Sequence, residues 1–275
     1  MRKILLAFDG SHYSKGAIEF AGRLNKKNPI LLTGAFLPQV DYANLWSYSG
    51  GGTADKLFIP LVEDEDAESV QQNIKRFENY CIDNGIEYRV HKGFLDFALP
   101  ELKKESRFAD LLIISSGTFY EQAGVETPNE YLKEALHKVE CPVLVVPENP
   151  VFPESNILSY DGSESSAYAI KQFAYLFPEF TENETVLVYA REKGDEELPD
   201  ELNIQELVAR HFPNLALFKL EANPKRYFSS WLLEKKGAIL VSGAFGRSDL
   251  SRLFRKSFIT DVIRDHRLPV FIAHK

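Results

Sequence analysis

The feature that most constrains this chain is an internal repeat that begins with a short apolar strand and an Asp-Gly-Ser turn. The first copy reads Ile4-Leu-Leu-Ala-Phe-Asp-Gly-Ser11, and Ile157-Leu-Ser-Tyr-Asp-Gly-Ser163 matches it in kind with one residue fewer. The ends of the two copies also match, since Cys141-Pro-Val-Leu-Val-Val146 is echoed by Leu268-Pro-Val-Phe-Ile-Ala273. A repeat of this length indicates two copies of one β/α unit.

The repeat divides the chain into two domains. With 275 residues, the chain is long enough for two ordinary domains. The sequence starts its second copy after a proline-rich stretch near Pro150. We therefore predict a first domain at 1–149 and a second at 150–275.

Each copy alternates short apolar runs with amphipathic helical patterns, five strands to a copy. Strands that are apolar on both faces indicate a parallel sheet covered by helices on each side. The predicted fold class is α/β, with two tandem doubly wound five-stranded parallel sheets of Rossmann-like or flavodoxin-like type. Ligands in such sheets bind beyond the carboxyl ends of the strands, where the winding reverses. We place that reversal between the first and fourth strands of each copy.

Composition excludes several classes of function. A net charge of −8 argues against a nucleic-acid-coating surface. No apolar run approaches the roughly 20 residues of a membrane span, and the N-terminus reads as a first strand and not as a secretory leader. Two cysteines indicate a reducing compartment, so we expect a cytoplasmic protein. Six scattered histidines lack metal-ligand spacing, and we predict no metal site.

The second copy carries a candidate anion site in the loop after its fourth strand. The apolar run Ala238–Val241 is followed by Gly243 and Gly246. Four cations come next: Arg247, Arg252, Arg255 and Lys256. Ser257 then opens a helical pattern. Glycines allow backbone N–H groups to approach a phosphate, and a helix N-terminus adds unpaired donors. The predicted fold places Asp161-Gly162-Ser163 beside this loop.

At this point the chain resembles the universal stress protein family in its tandem two-domain form. Nucleotide-binding members carry Gly, two residues, Gly, nine residues, Gly, then Ser or Thr, and here Gly243, Gly246 and Ser257 fit that spacing. Lys256 replaces the third glycine, whereas Asp161 matches the Asp that lies by the adenosine.

The resemblance implies a stress-response regulator that binds an adenine nucleotide, ATP with Mg²⁺, and that has no catalytic residues. The predicted contacts are Asp161, Gly162, Ser163, Gly243, Gly246, Arg247, Lys256 and Ser257. It also implies pairing through the last strand, either between the two domains of one chain or in a homodimer.

The first copy departs further from the motif. Ser115 and Thr118 stand at its first two glycine positions, and Glu121 and Glu126 are acidic where the second copy is basic. Carboxylates repel a phosphate by the Coulomb interaction that attracts it to arginine. We expect a degenerate site in the first domain.

Structural explanations compete with several of these assignments. Asp161 could cap its turn, Ser257 could cap a helix, and the two glycines could serve only to turn the chain. The arginines could form a solvated face. The aromatic, glycine-rich segment 42–58 fits a lid or a partner surface, and it fits packing on its own domain equally well.

Two alternative functions remain open. An interaction or scaffold protein of the same family, without nucleotide binding, would explain Lys256 and the degenerate first loop. A slow ATPase is less well supported, because the sequence marks no general base.

Overall fold

The computed structural model describes residues 1–9, 12–37, 64–92, 98–117, 119, 130–190, 198–220, 231–232, 235, 237–243, 262–263 and 268–274. The predictions for the segment 42–58, for Thr118, Glu121 and Glu126, and for the loop after Gly243 lie outside these residues.

All ten predicted strands are present. Those of the first repeat are β1 (Arg2–Phe8), β2 (Ile30–Phe36), β3 (Glu87–Lys92), β4 (Leu111–Ser115) and β5 (Val143–Val146). Those of the second repeat are β6 (Ser155–Tyr160), β7 (Glu184–Ala190), β8 (Leu215–Leu220), β9 (Ala238–Gly243) and β10 (Val270–Ala273).

Helices alternate with the strands. The first repeat has α1 (Lys15–Lys27), α2 (Asp64–Asp83), α3 (Ala98–Ser106) and α4 (Glu130–Lys138). The second has α5 (Glu164–Leu176), α6 (Glu201–His211) and, between α5 and β7, a 3-10 turn at Pro178–Phe180. In the part of the chain that the structure describes, no helix is long and apolar enough to cross a membrane.

The strand order within each repeat is that of a doubly wound sheet. The full order is β3-β2-β1-β4-β5-β10-β9-β6-β7-β8, so β1 lies between β2 and β4, and β6 lies between β7 and β9. All pairs within a repeat are parallel. The winding therefore reverses between the first and fourth strands of each repeat, where the sequence placed it.

The two five-stranded halves continue into one sheet through an antiparallel pair. Val270 of β10 lies opposite Val145 of β5, and Phe271 lies opposite Leu144. The sequence predicted two five-stranded sheets, whereas the structure has one sheet of ten strands. The physical reason is that each strand is fully buried, and an apolar edge left unpaired would expose both its side chains and its backbone groups.

Alternation along the strands builds a core on each face of the sheet. In β1, Ile4, Leu6 and Phe8 pack into one apolar cluster, whereas Leu5 and Ala7 pack into the other. This division follows from the period-two geometry of a strand. Each cluster contains residues of both repeats.

The repeats also meet through a row of aromatic rings at the linker between β5 and β6. The ring of Phe152 in the linker lies 5.1 Å from Phe20 of α1 and 5.4 Å from Phe180 of the 3-10 turn. The guanidinium of Arg23 stacks over Phe152 at 5.8 Å. The linker therefore takes part in the core that both repeats share.

A shielded ion pair lies beside these rings. Nη2 of Arg2 is 2.8 Å from Oε1 of Glu179, and the two side chains are 15% and 4% exposed. Nη1 of Arg2 donates to the carbonyl of Leu176, and Asn28 donates to the other oxygen of Glu179 at 3.1 Å. The guanidinium of Arg2 also lies 5.6 Å from the ring centre of Phe177. One cation of the first repeat is thus enclosed by groups of the second.

Candidate functional site

The candidate site lies at the carboxyl ends of β6 and β9, where the winding of the second repeat reverses. The two strands pair in parallel from Ser155 with Ala238 to Leu158 with Val241. Their carboxyl ends therefore meet at one edge of the sheet, which is where open α/β sheets bind ligands. Four predicted site residues are described at this edge: Asp161, Gly162, Ser163 and Gly243.

Asp161 forms the turn that leaves β6. Its Oδ1 accepts a hydrogen bond from the backbone N–H of Ser163 at 3.0 Å. This is the Asx-type turn that the structural explanation of Asp161 required. The side chain is half-buried, and within the described part of the chain no hydrogen bond to its Oδ2 is found.

Gly162 makes that turn sterically feasible. Its φ is +80°, and an added Cβ would lie 2.9 Å from Cβ of Pro199. Both the left-handed backbone and the nearby proline disfavour any side chain at this position.

Ser163 caps helix α5. Its side chain accepts the backbone N–H of Ser166 at 3.1 Å, and its own backbone is extended, as an N-cap requires. The hydroxyl of Ser166 donates back to the carbonyl of Ser163 at 2.8 Å. These bonds fix the first turn of α5 at the edge of the sheet. Glu164 in the same turn carries a negative charge, which would repel an anion bound there.

Gly243 brings the end of β9 against this helix turn. A Cβ at Gly243 would lie 2.6 Å from the backbone nitrogen of Ser166 and 2.7 Å from the carbonyl carbon of Ser165. Both are main-chain atoms that cannot rotate away, so the glycine permits the close approach. This approach places the N-terminus of α5, with its positive dipole end, beside Gly243 at the end of β9.

Sequence reasoning missed one contact at this edge of the sheet. The hydroxyl of Tyr160 donates to the carbonyl of Pro199 at 3.0 Å, which joins β6 to the segment before α6. Burial raises the pKa of Tyr160, and the carboxylates of Asp200 and Asp161 raise it further. The sequence shows a tyrosine directly before the Asp-Gly-Ser turn, but it does not indicate that this tyrosine bonds to Pro199.

The other four predicted site residues, Gly246, Arg247, Lys256 and Ser257, lie outside the described residues. The assignment of phosphate contacts to them stays a prediction. Across the described ranges, no group of three or more His, Cys, Asp or Glu side chains is placed to hold a metal ion.

The equivalent edge of the first repeat is built differently. Asp9 is buried and accepts the backbone N–H of His12 at 2.8 Å, while its Oδ2 lies 2.8 Å from Nδ1 of the same histidine. Helix α1 is capped by Ser14, whose hydroxyl accepts from Ala17 at 3.2 Å. The helix begins six residues after Asp9, whereas α5 begins three residues after Asp161. Among the described residues of the first repeat, the helix therefore begins further from the end of its first strand than α5 does.

Comparison with known proteins identifies the fold. A universal stress protein from Archaeoglobus fulgidus DSM 4304 aligns with 100% of this chain and 96% of its own, with a TM-score of 0.70 and 17% identity. A universal stress protein in complex with cAMP aligns with 53% of this chain and 95% of its own, at 15% identity and a TM-score of 0.31, a level of similarity that supports no structural argument. The sequence matches no family model and no curated protein. The predicted fold class is confirmed, and the predicted resemblance is confirmed at the level of the fold.

Proposed function

We propose that this chain is a stress-response regulatory protein of the universal stress protein family that binds an adenine nucleotide at the edge of β6 and β9. The observation that supports the proposal is the close packing of Gly243 against the first turn of α5. A Cβ added to Gly243 would lie only 2.6 Å from the backbone nitrogen of Ser166. This packing sets a helix N-terminus against Gly243 at the end of β9, where the winding of the sheet reverses, and such a position is suited to phosphate.

The residues present suit a nucleotide in part. Asp161 offers a half-buried carboxylate, which can accept hydrogen bonds from ribose hydroxyls. Arg247 and Lys256 are the cations assigned to the phosphates, together with Mg²⁺. Glu164 opposes them, because its carboxylate is in the first turn of α5.

The test is a thermal shift with ATP and Mg²⁺. A ligand that binds only the native state raises Tm by mass action, and a concentration of about 100 times the Kd adds roughly 2.7 kcal/mol. We expect Gly246→Val to abolish the shift while the unliganded Tm changes little. The matched control is Thr118→Val at the equivalent position of the first repeat, which should keep the shift. Absence of any shift in wild type at millimolar ATP would reject nucleotide binding.

A second candidate function is an interaction protein of the same fold without a nucleotide. It is favoured by the capping roles of Asp161 and Ser163, since both side chains have a structural use without ligand. Mass analysis of small molecules released on denaturing the purified protein separates the two. Released adenine nucleotide supports the sensor, and none at all supports the interaction protein.

We propose no catalytic activity and a cytoplasmic location. Phosphate release from ATP should be the same for wild type and Gly246→Val, since a true turnover would fall with the variant.

A further inference from the structure

At the edge of the sheet where the strands of the first repeat end, the side chain of Glu148 supplies a carboxylate. Glu148 is the second residue after β5, at the start of the linker to the second repeat. It is partly buried, and it comes from a part of the sequence that the nucleotide motif does not include.

Two hydroxyls bind this carboxylate. Ser14 donates to Oε1 of Glu148 at 2.9 Å, and Ser115 donates to the same oxygen over a short distance. Both serines are almost fully buried, at 2% and 1% exposure. Hydrogen bonds to a charged acceptor are stronger than neutral ones, and buried hydroxyls require a partner.

The backbone around Glu148 is fitted to the same helix. A Cβ on Gly16, in the first turn of α1, would lie 2.3 Å from the carbonyl oxygen of Pro147 and 2.5 Å from that of Glu148. The linker therefore lies directly on α1, and this fixes the origin of the Glu148 side chain.

The second repeat has a different arrangement at the equivalent position. The pairing of Leu6 with Ile113 and of Leu158 with Val241 puts Ser115 and Gly243 at equivalent strand ends. Gly243 has no hydroxyl to donate. The residue that follows β10 at the position of Glu148 is Lys275, a cation. The sign of the charge is therefore reversed between the repeats.

We propose that the first repeat retains a carboxylate-binding site, formed by Ser14 and Ser115, that is filled by the tethered carboxylate of Glu148. The site takes no external anion while Glu148 occupies it. Together with the proposed function, on which this consequence rests, it limits the chain to one nucleotide. The same contact holds the inter-repeat linker against β4 and α1.

The test is chemical rescue by a free carboxylate. Glu148→Ala removes the charged acceptor that the hydroxyls of Ser14 and Ser115 share, so we expect Tm to fall by about 5 °C. Acetate at about 0.2 M should refill the site and restore about 3 °C, relative to chloride at equal ionic strength. Glu148→Gln keeps an acceptor oxygen in place and should show no response to acetate. Glu182→Ala, which removes an exposed carboxylate, is the matched control and should show none either.

The results separate this proposal from that of the nucleotide site. Equal acetate responses in Glu148→Ala and Glu182→Ala would overturn the tethered-carboxylate site, whatever ATP does. If Glu148→Ala does not fold in chloride, its refolding yield with and without acetate provides the same comparison. Titration calorimetry of wild type should give one ATP per chain. Two would overturn the occupied first site, and none would reject the proposed nucleotide function and leave the rescue test standing.

Discussion

At the scale of single residues, glycine and serine positions set how closely elements approach one another. Gly243 and Gly16 each allow main chain to pack against the first turn of a helix. Ser163 and Ser14 cap the corresponding helices. These four positions have a packing or capping role that does not depend on a ligand, so variants made there report on folding before they report on binding.

Gly243→Ala should destabilise the fold by about 1–3 kcal/mol, because the new methyl group overlaps main-chain atoms of Ser165 and Ser166. Urea denaturation measures the change in the free energy of unfolding. Gly85→Ala is the control, since its φ is +62° but nothing lies within 4 Å of a Cβ. It should cost about 1 kcal/mol from the backbone alone. A cost for Gly243→Ala no larger than that of the control would contradict the close approach.

The two buried cysteines should make the free energy of unfolding decrease as the pH rises in the alkaline range. Burial raises the pKa of Cys81 and of Cys141 to about 12, above the ordinary value of 9.0. A raised folded-state pKa contributes stability that is complete below pH 9 and is lost as the pH rises from 9 towards 12. Between pH 8 and 10.5, we expect the urea midpoint of wild type to fall more than that of the double variant Cys81→Ala, Cys141→Ala. Equal declines in the two proteins would contradict the assignment.

At the scale of elements, the two repeats differ most at the start of the helix that follows their first strand. The N-cap of α5 is Ser163, immediately after Gly162, whereas that of α1 is Ser14. Because α5 begins three residues after Asp161, whereas α1 begins six residues after Asp9, the N-terminus of α5 lies nearer the carboxyl edge of the sheet. This difference in where the helix begins, as well as the missing glycines of the first loop, separates a candidate ligand site from one that holds Glu148.

Removal of the cap should weaken α5 selectively. Ser163→Ala loses the acceptor for the N–H of Ser166 and should cost about 1 kcal/mol. Ser165→Ala, two residues further on, is the matched control and should cost less than about 0.5 kcal/mol. Hydrogen exchange of the first turn of α5 is the specific measurement. Equal protection in the two variants would show that the cap contributes nothing.

At the scale of the whole molecule, the repeats form one structure through the β5–β10 pair, the rings around Phe152 and the Arg2–Glu179 ion pair. The last of these is the least replaceable, because both charged groups are shielded from water. Loss of one partner leaves the other charge buried and uncompensated.

Glu179→Ala should therefore destabilise the protein by about 2–4 kcal/mol, and it should do so in a single transition because the repeats share both core clusters. The double variant Arg2→Met, Glu179→Leu should recover much of that loss. Glu140→Ala breaks the exposed pair with Arg107 and should have a much smaller effect. Two separate unfolding transitions in Glu179→Ala would instead indicate repeats that are only loosely coupled.

The sequence was sufficient for the fold of each repeat, because strand periodicity and the repeat are local signals, but it did not predict that the two sheets join into one through β5 and β10. It also brought Asp161, Ser163 and Gly243 to one edge, since the carboxyl ends of parallel neighbours must meet there. It did not predict the contact of Ser14 with Glu148 or that of Arg2 with Glu179, which join residues 134 and 177 positions apart. Such pairings depend on the placement of a linker and of a 3-10 turn, for which a single sequence carries no periodic signal.

The antiparallel junction between β5 and β10 determines where the carboxyl ends of the strands of each repeat lie. Since β5 and β10 run in opposite directions, the rim that carries Glu148 and the rim that carries Asp161 open towards opposite sides of the molecule. A partner docked over one rim leaves the other uncovered. Coupling between the two rims would therefore run through the shared sheet and the aromatic rings around Phe152.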